Sequence, residues 1–229
     1  MTMHMRHSMP SAEFDKMVET GLFNAPVSTW YRDGAKRVFD VAIVLAAALP
    51  VLLILSVLAV MVAMDGKSPI YFQKRVGLNG RIFRMVKLRS MVPNADKMLQ
   101  NYLAQNPEAR AEWDRDQKLK NDPRITKVGR IIRKTSLDEL PQLWNVLIGD
   151  MSLVGPRPMM VEQQDIYPGT AYYALRPGIT GFWQTSVRND SSFGERAHFD
   201  TDYLRKVSLV TDLKVIFRTV GVVVNGTGH

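Results

Sequence analysis

The sequence predicts a mainly helical α+β protein, a small globular domain held to a membrane by one Pro-kinked re-entrant helix. Three observations predict it. An uncharged apolar run contains a proline, basic residues crowd both sides of that run, and the remainder alternates helical and β-prone stretches between breakers. The 229 residues leave room for one medium-sized domain with accessory segments. The expected boundaries are an N-terminal extension over 1–34, the membrane helix over 35–66, and the globular domain over 67–229.

The apolar run extends from Val41 to Met64 between Asp40 and Asp65. About 24 residues at ~1.5 Å each give roughly 36 Å of straight helix, enough to cross a ~30 Å hydrocarbon core. A buried core helix is the competing reading. The run is too long, and starts too far into the chain, to be a cleavable signal peptide. Pro50 lies inside it and removes one helical hydrogen bond. Arg32, Lys36 and Arg37 precede the run. Lys67, Lys74, Arg75, Arg81, Arg84, Lys87 and Arg89 follow it, with no acid between Gly66 and Ala95. A single span should carry its Lys and Arg mainly on one side. Both flanks are basic here, so the simplest geometry enters and leaves the same leaflet around Pro50; a kinked single span is the alternative.

The elements around the run follow from local signals. Residues 1–30 show little periodicity and read as a loose extension, with His4 and His7 giving no metal site. Two β-prone stretches flank Leu78-Asn79-Gly80, an Asn-Gly hairpin signal. Asn94 to Lys120 is polar and helix-prone, interrupted at Asn106-Pro107. After the breaker Asn121-Asp122-Pro123, the residues Ile125, Val128, Ile131 and Ile132 fall at helical spacing, with Lys127, Arg130, Arg133 and Lys134 opposite. Asp212 to Val224 is apolar with Lys214 and Arg218 interspersed, a core or membrane-facing element.

Composition narrows the chemistry. Thirty Lys plus Arg against 22 Asp plus Glu give a formal charge of +8, which favours nucleic acid, lipid headgroups or phosphorylated small molecules as partners. There is no cysteine, which excludes disulfides, thiolate nucleophiles and cysteine-ligated zinc. No nucleic-acid-binding motif is present, so no nucleic acid partner is expected.

The chemistry-bearing residues cluster after the basic helix, in Thr135-Ser136-Leu137-Asp138-Glu139-Leu140-Pro141-Gln142. Ser136 with Glu139 fits a capping box. With Asp138 as N-cap, Pro141 falls where its missing N–H costs nothing. Either way two adjacent carboxylates sit at the positive end of a helix. There they can cap, bind a divalent cation or attack phosphorus. Gly155-Pro156-Arg157-Pro158 holds an arginine on stiff backbone, and Arg176-Pro177-Gly178-Ile179-Thr180-Gly181 adds a second Arg-Pro with glycines. A fixed guanidinium suits bidentate recognition of phosphate oxygens.

In this order the motifs resemble the bacterial sugar transferase family, the monotopic phosphoglycosyl transferases, especially the exopolysaccharide-production undecaprenyl-phosphate galactose phosphotransferase type. The resemblance runs from Lys36-Arg37-Val38-Phe39-Asp40 through Gln73-Lys74-Arg75-Val76-Gly77, Lys87-Leu88-Arg89-Ser90-Met91, Arg133 and the Asp138-Glu139 stretch. It continues through Gly149-Asp150-Met151-Ser152-Leu153-Val154 and the Pro-Arg-Pro and Arg-Pro-Gly motifs to Asp200 and Tyr203. One departure is Val187 between Ser186 and Arg188, where the family commonly has glycine.

The resemblance implies that residues 67–229 are a catalytic domain on the cytoplasmic face of a bacterial inner membrane. It implies transfer of a sugar 1-phosphate, galactose or glucose, from a UDP-sugar to undecaprenyl phosphate, a polyprenyl phosphate, with Mg²⁺, as the first step of exopolysaccharide assembly. Asp138 would be the nucleophile, forming an aspartyl phosphosugar with release of UMP, and would also contact the metal. Glu139 would support metal or proton handling. Lys87, Arg89, Arg133 and Arg157 would contact phosphates, and Arg176 the nucleotide. Membrane lipids are the implied surroundings, and a homodimer fits a surface-lying enzyme. The competing class is a membrane-anchored scaffold that binds anionic lipids without catalysis.

Overall fold

A computed structural model describes residues 30–64, 67–116, 119–186 and 193–224. His4, His7, Val187 and Arg188 lie outside the described residues. A π-helical turn at Tyr31–Ala35 runs into the long helix α1, Lys36–Ala63. The helix passes through Pro50 instead of stopping there. A proline removes only one N–H donor from the ladder, and the apolar residues on either side carry the helix on. Ser56 Oγ donates to Leu52 O at 2.8 Å, one turn back along its own helix.

Only 11% of the most apolar stretch of α1 is buried in the protein. A core helix would be mostly covered, so among the described residues this apolar helix has little protein against its middle. Its two ends are different. At the start, Arg37 donates to the carbonyls of Val146 and Leu147, and Val44 joins the main core. At the end, Val62 packs with Leu88 and Ile132 in a separate cluster, and Arg89 donates to Val62 O at 3.1 Å. Both ends of α1 therefore rest on the same globular body.

The start of α1 is fixed by buried charge. Lys36 donates to Asp212 and lies 3.9 Å from Asp40. Asp40 accepts from Ser152 Oγ at 2.7 Å, while Asp212 also accepts from Tyr31 and Tyr203. One ammonium faces two carboxylates, and hydroxyl donors satisfy the remaining lone pairs.

Strands β1 (Ile70–Val76) and β2 (Ile82–Leu88) form the expected hairpin, pairing Val76 with Ile82 and Ile70 with Leu88. Asn79 takes φ 54° and Gly80 φ 75° at its tip, the left-handed region that Asn and Gly tolerate. Helices α2 (Ala95–Gln105) and α3 (Pro107–Asp116) meet at Asn106, as the Asn-Pro signal implies.

Helix α4 (Lys127–Lys134) starts at Thr126, whose hydroxyl accepts from Gly129 N at 2.9 Å. Its buried face is Val128, Gly129 and Ile132, whereas Ile131 is 62% exposed. The sequence spacing grouped Ile131 with Ile132, but the two point about 100° apart and the core lies on the Ile132 side. Gly129 lies so close to β2's continuation that a Cβ there would sit 1.9 Å from Ser90 O.

Helix α5 (Gln142–Ile148) leads to strand β3 (Ser152–Val154), which pairs in parallel with β4 (Gly178–Thr180). Short helices α6 (Phe182–Thr185) and α7 (Arg196–Lys206) follow, then α8 (Leu209–Val224). The core gathers Phe83, Met85, Val146, Met151, Val154, Leu204 and Val215 between these elements. Val210, Leu213, Phe217 and Val220 of α8 stay exposed, as do Trp144 and Ile148 of α5. The apolar C-terminal segment is thus half core and half uncovered face.

Candidate active site

Neither capping scheme for the Asp138-Glu139 dyad is what forms. A separate 3-10 turn, Leu137–Glu139, carries the dyad, with Ser136 at φ 56° making no side-chain cap. Helix α5 begins beyond it, with Pro141 itself at the N-cap. Proline donates no N–H, so helical bonding restarts with Leu143 N to Leu140 O and Trp144 N to Pro141 O. The dyad is consequently held on a tight turn between two helices.

Three elements converge on that turn. Asn145 of α5 is fully buried and pairs with the free edge of β2, accepting from Val86 N at 2.9 Å and donating to Arg84 O at 2.8 Å. This fixes α5 against β2 and brings Lys87 to the dyad. Lys87 Nζ donates to Glu139 Oε1 at 2.8 Å. Contact between Gly129 and Ser90 sets α4 so that Arg133, near its end, faces Asp138 instead of joining the exposed Lys127, Arg130 and Lys134. Arg133 Nε is buried without an acceptor.

Arg157 arrives from the opposite side. The Gly-Pro-Arg-Pro and Arg-Pro-Gly motifs cross, with Gly155 N donating to Thr180 O and Gly178 N to Pro156 O. A Cβ on Gly178 would lie 2.1 Å from Gly155 N, so the crossing requires glycine. Beyond it, an Arg157 nitrogen lies 3.8 Å from Glu139 Oε1 and its guanidinium 5.6 Å from the centre of the Trp183 ring. A small cleft is lined by Arg75, Lys87, Glu139, Gln142, Arg157 and Ile179, among others.

Asp138 lies next to Glu139 on the turn that borders this cleft, 6% exposed, and its carboxylate makes no hydrogen bond among the described residues. Burial pushes its pKa above the usual carboxylate range, and the negative charge of Glu139 adds to that; Lys87, Arg133 and Arg157 oppose it. A carboxylate that donors do not occupy, yet cations surround, keeps its lone pairs available for a bond to an electrophile.

Not every residue singled out in the sequence meets here. Arg89 donates to Ser68 O and Val62 O, tying the end of α1 to the hairpin. Arg176 donates to Gly149 O at 3.0 Å, at the end of α5. Neither lines the cleft. Conversely, Arg75 does, and it donates to Pro158 O at 3.0 Å and to Gln73 at 2.6 Å. Burial and neighbouring Arg157 lower its pKa to about 10. It stood inside a quoted motif, but on a strand its alternation with Lys74 gave no sign of which side faced the site. For a metal, no three acidic or histidine side chains converge among the described residues. The dyad offers two carboxylates, which is the number Mg²⁺ takes when substrate phosphates complete its shell, so the residues fit a phosphate-borne Mg²⁺.

An acidic dyad ringed by arginine and lysine, on a domain that carries a long uncovered apolar helix, has the charge and donors that suit phosphate oxygens. The chain belongs to the bacterial sugar transferase family, whose sequence profile matches residues 31–226. It is 50% identical over 195 residues to the UDP-galactose-lipid carrier transferase of Erwinia amylovora, covering 84% of this chain and 41% of that protein. It is 48% identical over 199 residues to the undecaprenyl-phosphate galactose phosphotransferase of Salmonella typhimurium, again 41% of that protein. With the exopolysaccharide production protein ExoY of Rhizobium meliloti it shares 45% over 192 residues, 84% of that protein's length. The chain spans about two fifths of the first two relatives.

Proposed function

We propose that this protein is a phosphoglycosyl transferase that moves a hexose 1-phosphate, galactose or glucose, from a UDP-sugar to a polyprenyl phosphate through Asp138. The observation that carries the reading is the buried Asp138 carboxylate, without a hydrogen bond among the described residues, amid Lys87, Arg133 and Arg157. An Asp138 oxygen attacks the phosphorus that bears the sugar. The bond from that phosphorus to the bridging oxygen breaks, and UMP leaves with the electron pair. An oxygen of the polyprenyl phosphate then attacks the same phosphorus. The aspartyl–phosphorus bond breaks, Asp138 returns as carboxylate, and a diphosphate-linked sugar lipid is formed. Both substrates are anions, so the surrounding cations serve mainly to offset charge repulsion as phosphorus is approached.

Bound Mg²⁺ would supply further charge neutralisation on the diphosphate, held by Asp138 or Glu139 with phosphate oxygens. Lys87 holds Glu139 in place, and Arg157 extends the positive rim toward Trp183. The relatives' names support a lipid-carrier acceptor and an exopolysaccharide context. A scaffold that only binds lipid has no use for a buried carboxylate ringed by Lys87, Arg133 and Arg157.

The anchoring of both ends of α1 on one body supports a re-entrant arrangement, with the Pro50 region in the bilayer and the domain on the cytoplasmic face. The exposed apolar residues of α5 and α8 would then lie against membrane lipids near the start of α1. Because the chain lacks cysteine, single cysteines at Gly34 and Lys67 can be labelled cleanly from either side of the membrane. Labelling from the same side is expected; labelling from opposite sides contradicts the re-entrant arrangement.

The reaction is tested by incubating detergent-purified protein with UDP-galactose or UDP-glucose, Mg²⁺ and polyprenyl phosphate. UMP release is expected, and Asp138→Asn should reduce it by about a thousandfold or more while leaving membrane association unchanged. Undiminished release by the variant refutes the role of Asp138.

A further inference from the structure

Arg196, on α7, is an arginine that the reaction described above does not use. Its guanidinium lies 4.4 Å from the centre of the Trp183 ring and 4.8 Å from that of Phe193. Its Nε is buried without an acceptor, and the side chain makes neither a hydrogen bond nor an ion pair among the described residues. Such an arginine is costly, because the Nε–H loses water and gains no acceptor.

The surroundings make the cost greater. Arg157 shares the Trp183 ring with Arg196. Arg157 and Arg75 both act on Arg196 as repelling charges, and with burial they lower its pKa to about 9. Among the described residues, the carboxylate that acts on Arg196 is Asp200, one turn along α7, and Tyr167 already bonds it at 2.6 Å. Burial raises the pKa of Asp200 to about 7. Three guanidiniums are thus gathered, and of the carboxylates that act on them among the described residues, Asp200 and Glu139 are each already bonded by another side chain. An aromatic floor that fixes a planar cation while leaving its donors open suits recognition of phosphate oxygens.

We infer that Arg196, seated on Trp183 and joined by Arg157 and Arg75, forms a second phosphate subsite, binding a substrate phosphate other than the one Asp138 attacks. The inference rests on the phosphoglycosyl transfer reading. Two phosphates answer the description: the one that leaves with the nucleoside, and that of the polyprenyl acceptor.

The test measures binding of UDP, and separately of a short-chain polyprenyl phosphate in micelles, to the full chain in detergent, beside steady-state UMP release. Arg196→Gln is expected to weaken one of the two ligands by about 10- to 100-fold and to raise the KM of the matching substrate more than it lowers kcat. Weakened UDP binding assigns the subsite to the nucleotide, and weakened lipid-phosphate binding assigns it to the acceptor. Arg110→Gln, on the exposed face of α3, should change neither. Arg196→Lys, which keeps the charge and loses the planar fork, should fall between wild type and Arg196→Gln. It also serves if the glutamine variant does not fold, since wild-type binding of both ligands by a folded Arg196→Lys would overturn the subsite. Unchanged affinity for both ligands in Arg196→Gln likewise overturns it. Absence of UMP release from the wild type would instead overturn the transfer reading and leave the binding comparison to stand on its own.

Discussion

Replacing Lys87 by methionine tests the electrostatics of the dyad most sharply. Lys87 Nζ lies 2.8 Å from Glu139 Oε1, and each side chain is 17% exposed. At an effective dielectric of about 20, that separation corresponds to a raw attraction of about 6 kcal/mol. Solvent and the Arg157 nitrogen at 3.8 Å compensate part of the loss, leaving a net cost of about 1–3 kcal/mol, typical of a hydrogen bond to a charged group. Methionine keeps the length and apolar stem, so packing changes little. Lys87 is also the strongest influence lowering the pKa of Asp138 against burial. Without it, Asp138 holds its proton to higher pH, and the ionised nucleophile disappears earlier as pH falls. The assay is UMP release across pH. The account predicts a kcat/KM about 10- to 100-fold lower at neutral pH and an acid limb displaced upward. An acid limb at the wild-type position, with kcat/KM within about twofold, would refute the reasoning.

Three other perturbations address the frame. Lys36→Met leaves Asp40 and Asp212 buried without their ammonium, and should cost about 3–5 kcal/mol, read as a lowered midpoint in thermal or urea unfolding of the detergent-solubilised protein. Gly178→Ala puts a methyl group 2.1 Å from Gly155 N; a destabilisation of at least about 1–3 kcal/mol and loss of UMP release are expected, since Arg157 is carried by that crossing. Asp200 has a folded pKa raised to about 7 from an unfolded value near 4, so its neutral form stabilises the fold below about pH 4 and that contribution is lost as pH rises to about 7. Relative to Asp200→Asn, the wild-type unfolding midpoint should therefore fall across that window and run parallel above it.

Much of the architecture was legible in the sequence because it rests on local signals. The Asn79-Gly80 hairpin, the break at Asn106-Pro107 and the start of α4 each follow from backbone chemistry within a few residues. The dyad was legible as chemistry, but its geometry was not. Pro141 could be fitted into two capping schemes, and the outcome, a detached 3-10 turn, depends on Asn145 pinning α5 to the edge of β2 across the fold. Ile131 was misjudged because hydrophobic spacing cannot choose between adjacent residues without knowing where the core lies. Arg75 and Arg196 were hidden for the same reason: an arginine in a strand or helix reads as a solvated charge until Trp183, Phe193 and Arg157 are seen around it. The uneven roles of Arg89 and Arg176, both bonded to backbone carbonyls, are likewise tertiary facts.

The central claim is a covalent bond between Asp138 and phosphorus. It is tested most directly by mass spectrometry of protein quenched after mixing with UDP-sugar and Mg²⁺ in the absence of lipid acceptor. A hexose-phosphate adduct on the peptide containing Asp138, discharged when polyprenyl phosphate is added, is the predicted result. Lipid-linked product forming at full rate while that peptide stays unmodified at every time point would contradict the account.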